Sequence, residues 1–326
     1  MNYMMAFYSG LLLLTFYSNL NHIMVDLKKS NVEYTRFYNL TATSWTFKPL
    51  FGWISDSFYP FRYRFKSYII LMACIHATFC IVCQLNPNSY SNFFICVFMI
   101  YFAVAFVDTM GEGMTAVITK MENRIAELTP PELQEEKKSE GKAIGFFFMF
   151  RLIIQSVSIF LGGSLSSNGY SIRLIYIILL VAPSSILIYT IFVFKEARKP
   201  KVWNGCTEIM KSLKEFVKVF FNPGLFFPLF YSILLIAIPS FTDVCNFILL
   251  NKGGWTLEQV SFVNLSTGVI FALGMIWFLD KVSPKMPNYL NYIIGALTTV
   301  ISNLMNFYFL EPQQLGYTKM FIVYWS

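Results

Sequence analysis

Apolar residues run in long uninterrupted blocks along this chain, and charged residues gather between the blocks. Residues 1–25 contain no Asp, Glu, Lys or Arg; neither do 67–107, 152–172, 174–194, 219–242, 259–279 and 286–310. A helix rising about 1.5 Å per residue needs about 20 apolar residues to cross about 30 Å of hydrocarbon. The block 67–107 is broken by Asn86-Pro87-Asn88-Ser89, so it predicts two spans joined by a tight turn. The pattern predicts spans at 4–25, 38–55, 68–85, 92–118, 143–165, 171–194, 224–248, 259–280 and 288–310. A tenth begins at Met320 and stops at Ser326. The predicted class is an all-α polytopic membrane protein, organised as a six-helix bundle over 1–194, a linker over 195–223 and an incomplete second bundle over 224–326.

Composition narrows the function classes. Hydrophobic residues make up 56% of the chain and charged residues 13%, about half of the ~25% usual in soluble domains. So few charges cannot cover a soluble globule. That excludes an ordinary soluble enzyme, a disordered tail and a nucleic-acid-binding domain; the lipid bilayer is the first partner. The net charge of +7 reports topology. Loops 56–67, 119–142, 195–223 and 281–287 hold 17 Lys and Arg; the opposite loops hold 5. The basic set is expected in the cytoplasm, with the N-terminus on the same side. The first span lacks a basic leader and a small-residue cleavage site, so it reads as a retained helix. In the linker, Lys211, Lys214, Glu215 and Lys218 fall at helical spacing, as in an amphipathic helix on an anionic leaflet. The loop 119–142 mixes acids with bases and reads as a solvated loop. Gly162-Gly163 and Gly268 suit close helix packing, and Cys80-x-x-Cys83 in an apolar run reads as packing. The chain has no Gly-Lys-Ser/Thr phosphate loop, no helical His-x-x-x-His pair and no Gly-x-Ser-x-Gly. An ATP-driven pump, an enzyme, a cofactor and a metal site are therefore not expected.

The few charges inside spans carry the candidate chemistry. Lys48 lies mid-span and Pro49 follows it, able to break the helix and free carbonyls. A cation near hydrocarbon must face a cavity or a partner. Either Lys48 attracts an anionic substrate or it pairs with Asp108 or Glu112. Asp108 and Glu112 are four residues apart and share a helix face. Two carboxylates this close cannot both stay ionised cheaply, which is the physics of a proton-coupling site; the alternative is that Glu112 is solvated or paired with Arg151. Gly111 and Gly113 would admit a neighbouring helix. Arg151 presents a planar fork suited to carboxylates, or it pairs with Asp108 or Glu112. Asp243 follows Pro239 in the seventh span and meets substrate, pairs with a base or touches water near the external end. A lone His22 near the end of the first span reads as a solvated or hydrogen-bonded residue, not a proton carrier. Asp56 ends the second span, with Arg62 and Arg64 close by. Such a carboxylate can latch a loop in one conformer and release it in another; the plainer reading is a basic anchor.

The string from Trp45 to Tyr68 carries a resemblance. Its Gly52-x-x-Ser55-Asp56, followed by Tyr63-Arg64-x-Lys66, resembles the cytoplasmic signature loop of the major facilitator superfamily. The fuller Trp45-x-x-Lys48-Pro49-Leu50-x-Gly52-x-x-Ser55-Asp56-x-Phe58-x-Pro60 resembles the folate–biopterin transporter family. Asp108 with Gly111-Glu112-Gly113, and Pro239-Ser240 with Asp243 and Gly254-Trp255, extend the likeness. That family usually has Gly-Tyr-Arg-Arg where this chain has Arg62-Tyr63-Arg64-Phe65, and about twelve helices where this chain is expected to be C-terminally truncated. The resemblance implies alternating access around a midplane site and proton-coupled transport of folate- or biopterin-like anions. It implies Lys48, Arg151 and Asp243 as substrate-binding, Arg151 for the glutamate tail. It also implies Asp108 and Glu112 as proton-coupling, with Asp56, Arg62 and Arg64 as the cytoplasmic gate. The rival readings are a transporter of another small solute, amino acid or nucleoside-like, and a truncated paralogue that does not transport.

Overall fold

A computed structural model describes residues 2–128, 140–198, 210–211, 213–215, 217–218, 221–222 and 255–278, with isolated positions 282, 290, 293, 294 and 297. Among these residues every element is helical. Five helices are long and apolar enough to cross a membrane: Lys66–Leu85, Tyr90–Met121, Gly145–Ser167, Ile172–Phe192 and Leu257–Trp277. They coincide with the expected spans at 68–85, 92–118, 143–165, 171–194 and 259–280. The expected seventh span and the start of the tenth lie outside the described residues, as does nearly all of the ninth.

The first two expected spans are helical but not regular. The first runs as α1 (Asn2–Gly10), a 3-10 stretch (Leu11–Thr15), α2 (Phe16–Asn21) and a π turn (His22–Asp26). Ser9, Thr15 and Ser18 donate back to the carbonyls of Ala6, Leu12 and Leu14. Hydroxyls bonded to the ladder in this way bend helices. The second span runs as α3 (Asn31–Ala42), a 3-10 stretch (Thr43–Phe47) and α4 (Lys48–Ser57). Pro49 has no N–H for the carbonyl of Trp45, four residues earlier, and its ring crowds that turn. Thr43 and Thr46 donate to the carbonyls of Leu40 and Thr43 at 2.5 and 2.6 Å. The break expected at Pro49 therefore occupies the turn before it.

The remaining elements are α5 (Lys66–Leu85), α6 (Tyr90–Leu128), α7 (Glu140–Ser167), α8 (Ile172–Leu179), α9 (Val181–Phe192) and α10 (Leu257–Trp277). One expectation needs correction. The solvated loop expected from 119 is helical as far as Leu128, because Glu122, Arg124, Ala126 and Glu127 are compatible with helix outside hydrocarbon. In the expected linker, residues 210–211, 213–215 and 217–218 are helical, with Met210, Leu213 and Val217 exposed.

The turns sort to two ends. At one, His22 meets the carbonyl of Pro87 and Glu258 bonds Ser164 and Ser167. At the other, Glu196 meets residues 64–66. This sorting agrees with the alternation expected from the Lys and Arg counts.

Helix α7 lies between the first span and α10. A Cβ on Gly162 would overlap the Leu14 backbone, while one on Gly163 would overlap Ser261 and one on Gly268 would overlap Ser156. Small residues therefore let α7 approach both neighbours, the usual substitute for hydrophobic drive between helices in lipid. The first span also bonds widely. Tyr8 bonds His76 of α5 at 2.8 Å, Ser18 bonds Ser166 of α7 at 3.1 Å, and Asn19 accepts from Tyr176 of α8 at 3.0 Å. Tyr17 accepts from Asn264 of α10 at 2.5 Å.

Candidate functional site

Four charged side chains from three helices meet inside the bundle. Lys48 opens α4, so the 3-10 stretch before Pro49 sets where it points. Its ammonium lies 2.6 Å from Asp108 Oδ2 and 2.5 Å from Glu112 Oε1. Arg151 of α7 donates to the same Asp108 Oδ2 and stands 3.9 Å from Glu112 Oε1. Asp108 is fully buried, whereas the side chains of Lys48, Glu112 and Arg151 keep 21%, 25% and 17% exposure. The burial differs because α6 turns Asp108 toward the packed interior and places Glu112 one turn along. Gly111 lets α7 and α1 approach α6 beside these carboxylates, as a Cβ there would lie 2.9 Å from Phe147 and 3.1 Å from Met5. A Cβ on Gly113 would make only ordinary contact with Phe65, so Gly113 is not needed for the approach.

Two cations and two carboxylates make the cluster neutral as drawn. Isolated charges at this depth are costly, and pairing offsets the cost. The internal pairing weighed for Lys48 and for Arg151 is therefore realised for both. Among the described residues, Asp108 Oδ1 and Arg151 Nε are buried without a hydrogen-bond partner. The cluster thus retains one acceptor and one donor.

Two aromatic side chains frame the cations. The Trp45 ring lies 4.8 Å from the Lys48 ammonium and 5.7 Å from the Arg151 guanidinium. Phe148 lies 4.6 Å from the guanidinium. Such contacts hold a cation without neutralising it. Trp45 sits three residues before Lys48, so helical spacing was a usable signal; Phe148 gave none beyond its place one turn before Arg151.

The expected gate lies at the basic end. Asp56, in the last turn of α4, pairs with Arg64. Arg64 also covers the Phe65 ring at 4.8 Å. Arg62 lies in the short turn Pro60–Arg62 with φ of 70°, beside Phe61 at 54°. Both angles are left-handed, and at position 62 the family pattern usually has glycine. Glu196, which the sequence did not single out, accepts backbone N–H bonds from Arg64, Phe65 and Lys66.

Other candidates separate from this site. His22 bonds Asp26 at 2.7 Å and the Pro87 carbonyl at 3.0 Å, as a hydrogen-bonded residue would. Asp243 lies outside the described residues. Cys80 and Cys83 are buried in the core. A cleft of about 460 Å³ lined by Phe160, Trp255, Glu258 and Phe262 lies toward the opposite end, about 13 Å along α7 from Arg151 by helical rise.

No curated protein matches the chain. A profile of the BT1 family matches residues 9–324, nearly the whole length. The apolar helices fit an integral membrane protein, and the chain belongs to the BT1 family of folate–biopterin transporters.

Proposed function

We propose that this chain carries a folate- or biopterin-like organic anion across the bilayer together with a proton, by alternating access around the Lys48–Asp108–Glu112–Arg151 cluster. The observation that carries the reading is the cluster's neutrality combined with its uneven burial. Asp108 is sealed and takes both cations on one oxygen. Glu112 is partly open and holds Lys48 closely but Arg151 only at 3.9 Å.

A proton arriving on Glu112 leaves two cations facing one carboxylate. The cluster then carries a net positive charge and has a place for an anion. Arg151 Nε, unpartnered among the described residues, is the donor a substrate carboxylate would take; Lys48, released from Glu112, is the second. When the anion leaves, Glu112 loses its proton and returns to Lys48. Proton and anion thus bind in mutual dependence, which is the coupling free energy a symporter needs. Asp56 with Arg64 latches the basic end during one half of the cycle, and Asp243 contributes to the substrate site from the second bundle.

The experiment is uptake of radiolabelled folic acid and of biopterin into proteoliposomes, with and without an inward proton gradient. The expected result is uptake driven by the gradient in the parent chain. Arg151→Met abolishes it. Glu112→Gln retains exchange of labelled for unlabelled anion but loses gradient-driven accumulation. Equal accumulation by Glu112→Gln and the parent would remove the proton from the mechanism, and unchanged uptake by Arg151→Met would remove Arg151 from the site.

A further inference from the structure

Helix α5 begins without a cap of its own. Its N-cap residue is Phe65, which offers no side-chain oxygen, and the first N–H groups of any helix lack intrahelical partners. The missing acceptor comes from far away in sequence. Glu196, four residues past the end of α9, takes the N–H of Arg64 at 2.9 Å and of Phe65 at 3.1 and 3.2 Å. It takes the N–H of Lys66 at 2.8 Å. The contact is reciprocated, since the Lys66 ammonium donates to the carbonyls of Phe194 at 3.0 Å and Ile191 at 3.4 Å, at the C-terminal end of α9. A carboxylate at a helix N-terminus and an ammonium at a C-terminus both suit the helix dipoles. Arg198 adds a bond to the Tyr63 hydroxyl at 2.9 Å.

The two halves of this exchange differ in what they touch. Lys66 reaches only the end of α9. Glu196 holds the backbone of Arg64 itself, the residue whose side chain pairs with Asp56. The Asp56–Arg64 pair is half-exposed on its acidic side, at 51%, and an exposed pair alone fixes a loop weakly. Three backbone N–H groups held by one carboxylate add the direction the pair lacks. We propose that Glu196 is a positioning residue for the gate: it pins the Arg64 backbone so that the guanidinium faces Asp56. Through it the chain leaving α9, the start of the linker to the second bundle, controls the latch. Displacement of that linker draws Glu196 away and frees Arg64. The proposal rests on the latch reading of Asp56 and Arg64 given above.

The test needs no transported substrate. Ser55, next to Asp56, is 2% exposed. In the full chain carrying Ser55→Cys, reconstituted in nanodiscs, N-ethylmaleimide labelling of that site is followed by mass spectrometry. Arg64→Ala and Glu196→Ala are each expected to speed labelling about tenfold, and the double variant no more than about twofold beyond the faster single, because residues acting in one unit are not additive. Glu196→Gln, whose one amide oxygen can still accept from Arg64 and Phe65 while its NH2 faces the Lys66 N–H, labels more slowly than Glu196→Ala. Lys66→Met lowers the melting temperature but leaves labelling at the parent rate. Additive effects, an unmoved rate in Glu196→Ala, labelling of Glu196→Gln as fast as that of Glu196→Ala, or equal opening by Lys66→Met would each overturn the positioning role. An unmoved rate in Arg64→Ala would instead overturn the latch reading, and the proposal with it.

Discussion

The buried cluster and the proposed latch at the basic end are made of the same groups, carboxylates beside Lys and Arg, yet they are built on opposite plans. In the cluster, side chains meet side chains across α4, α6 and α7, and the central Asp108 is fully buried. At the latch, Asp56 is half-exposed and the stronger ties run from Glu196 to backbone N–H groups. The difference follows from the medium. In a low-dielectric interior each charge must find its counter-charge, and the arrangement is set by neutrality. Near water a side-chain ion pair is worth about 0–1 kcal/mol, so geometry there is set by backbone bonds and helix ends.

The contrast is broken most severely at Asp108. Asp108→Asn leaves Lys48 and Arg151 sharing one carboxylate, and losing one partner of a buried pair costs about 3–5 kcal/mol. The expected result is a large fall in the melting temperature of the purified protein and poor recovery from the membrane. A second change sharpens the point. Adding Lys48→Met to Asp108→Asn makes the count neutral again and should recover a substantial part of that loss. If the double variant is no more stable than the single, neutrality is not what organises the cluster.

At the latch the same kind of change should barely register in stability. Asp56→Asn is expected to cost less than about 1 kcal/mol, leaving the melting temperature near that of the parent in the same scan. A loss as large as at Asp108 would mean that the exposed pair carries structural weight. The smallest effect belongs to Arg62. A non-glycine residue in the left-handed region costs about 1–2 kcal/mol, and glycine gives back about 0.5–1 kcal/mol in unfolded-chain entropy. The two ranges partly cancel, so Arg62→Gly should stabilise by about 0.7 kcal/mol, read as a small rise in melting temperature. A clear fall would show that the Arg62 side chain holds the turn more firmly than its backbone strains it.

Much of this was legible in the residues. The charge-free blocks gave the apolar helices because length and hydropathy alone decide what crosses hydrocarbon. The four members of the cluster were each visible as charges where charges are costly, and Asp108 with Glu112 shared a face by spacing alone. The broken course of the first two spans was only half visible: Pro49 announced one break, but the hydroxyl bonds that bend the first span depend on rotamers that the sequence does not specify.

The sequence by itself determined which segments are apolar helices, which charges lie within them and where turns interrupt them, because these follow from local composition and from the length needed to span lipid. Only the tertiary structure decided which charges pair. Lys48 joins residues 60 and 64 positions away, and Glu196 caps a helix that begins 130 positions before it. A carboxylate has no preference among distant partners until packing brings one within reach. That choice is made by the small residues that let α7 close on its neighbours and by the broken turn that aims Lys48 at Asp108 and Glu112.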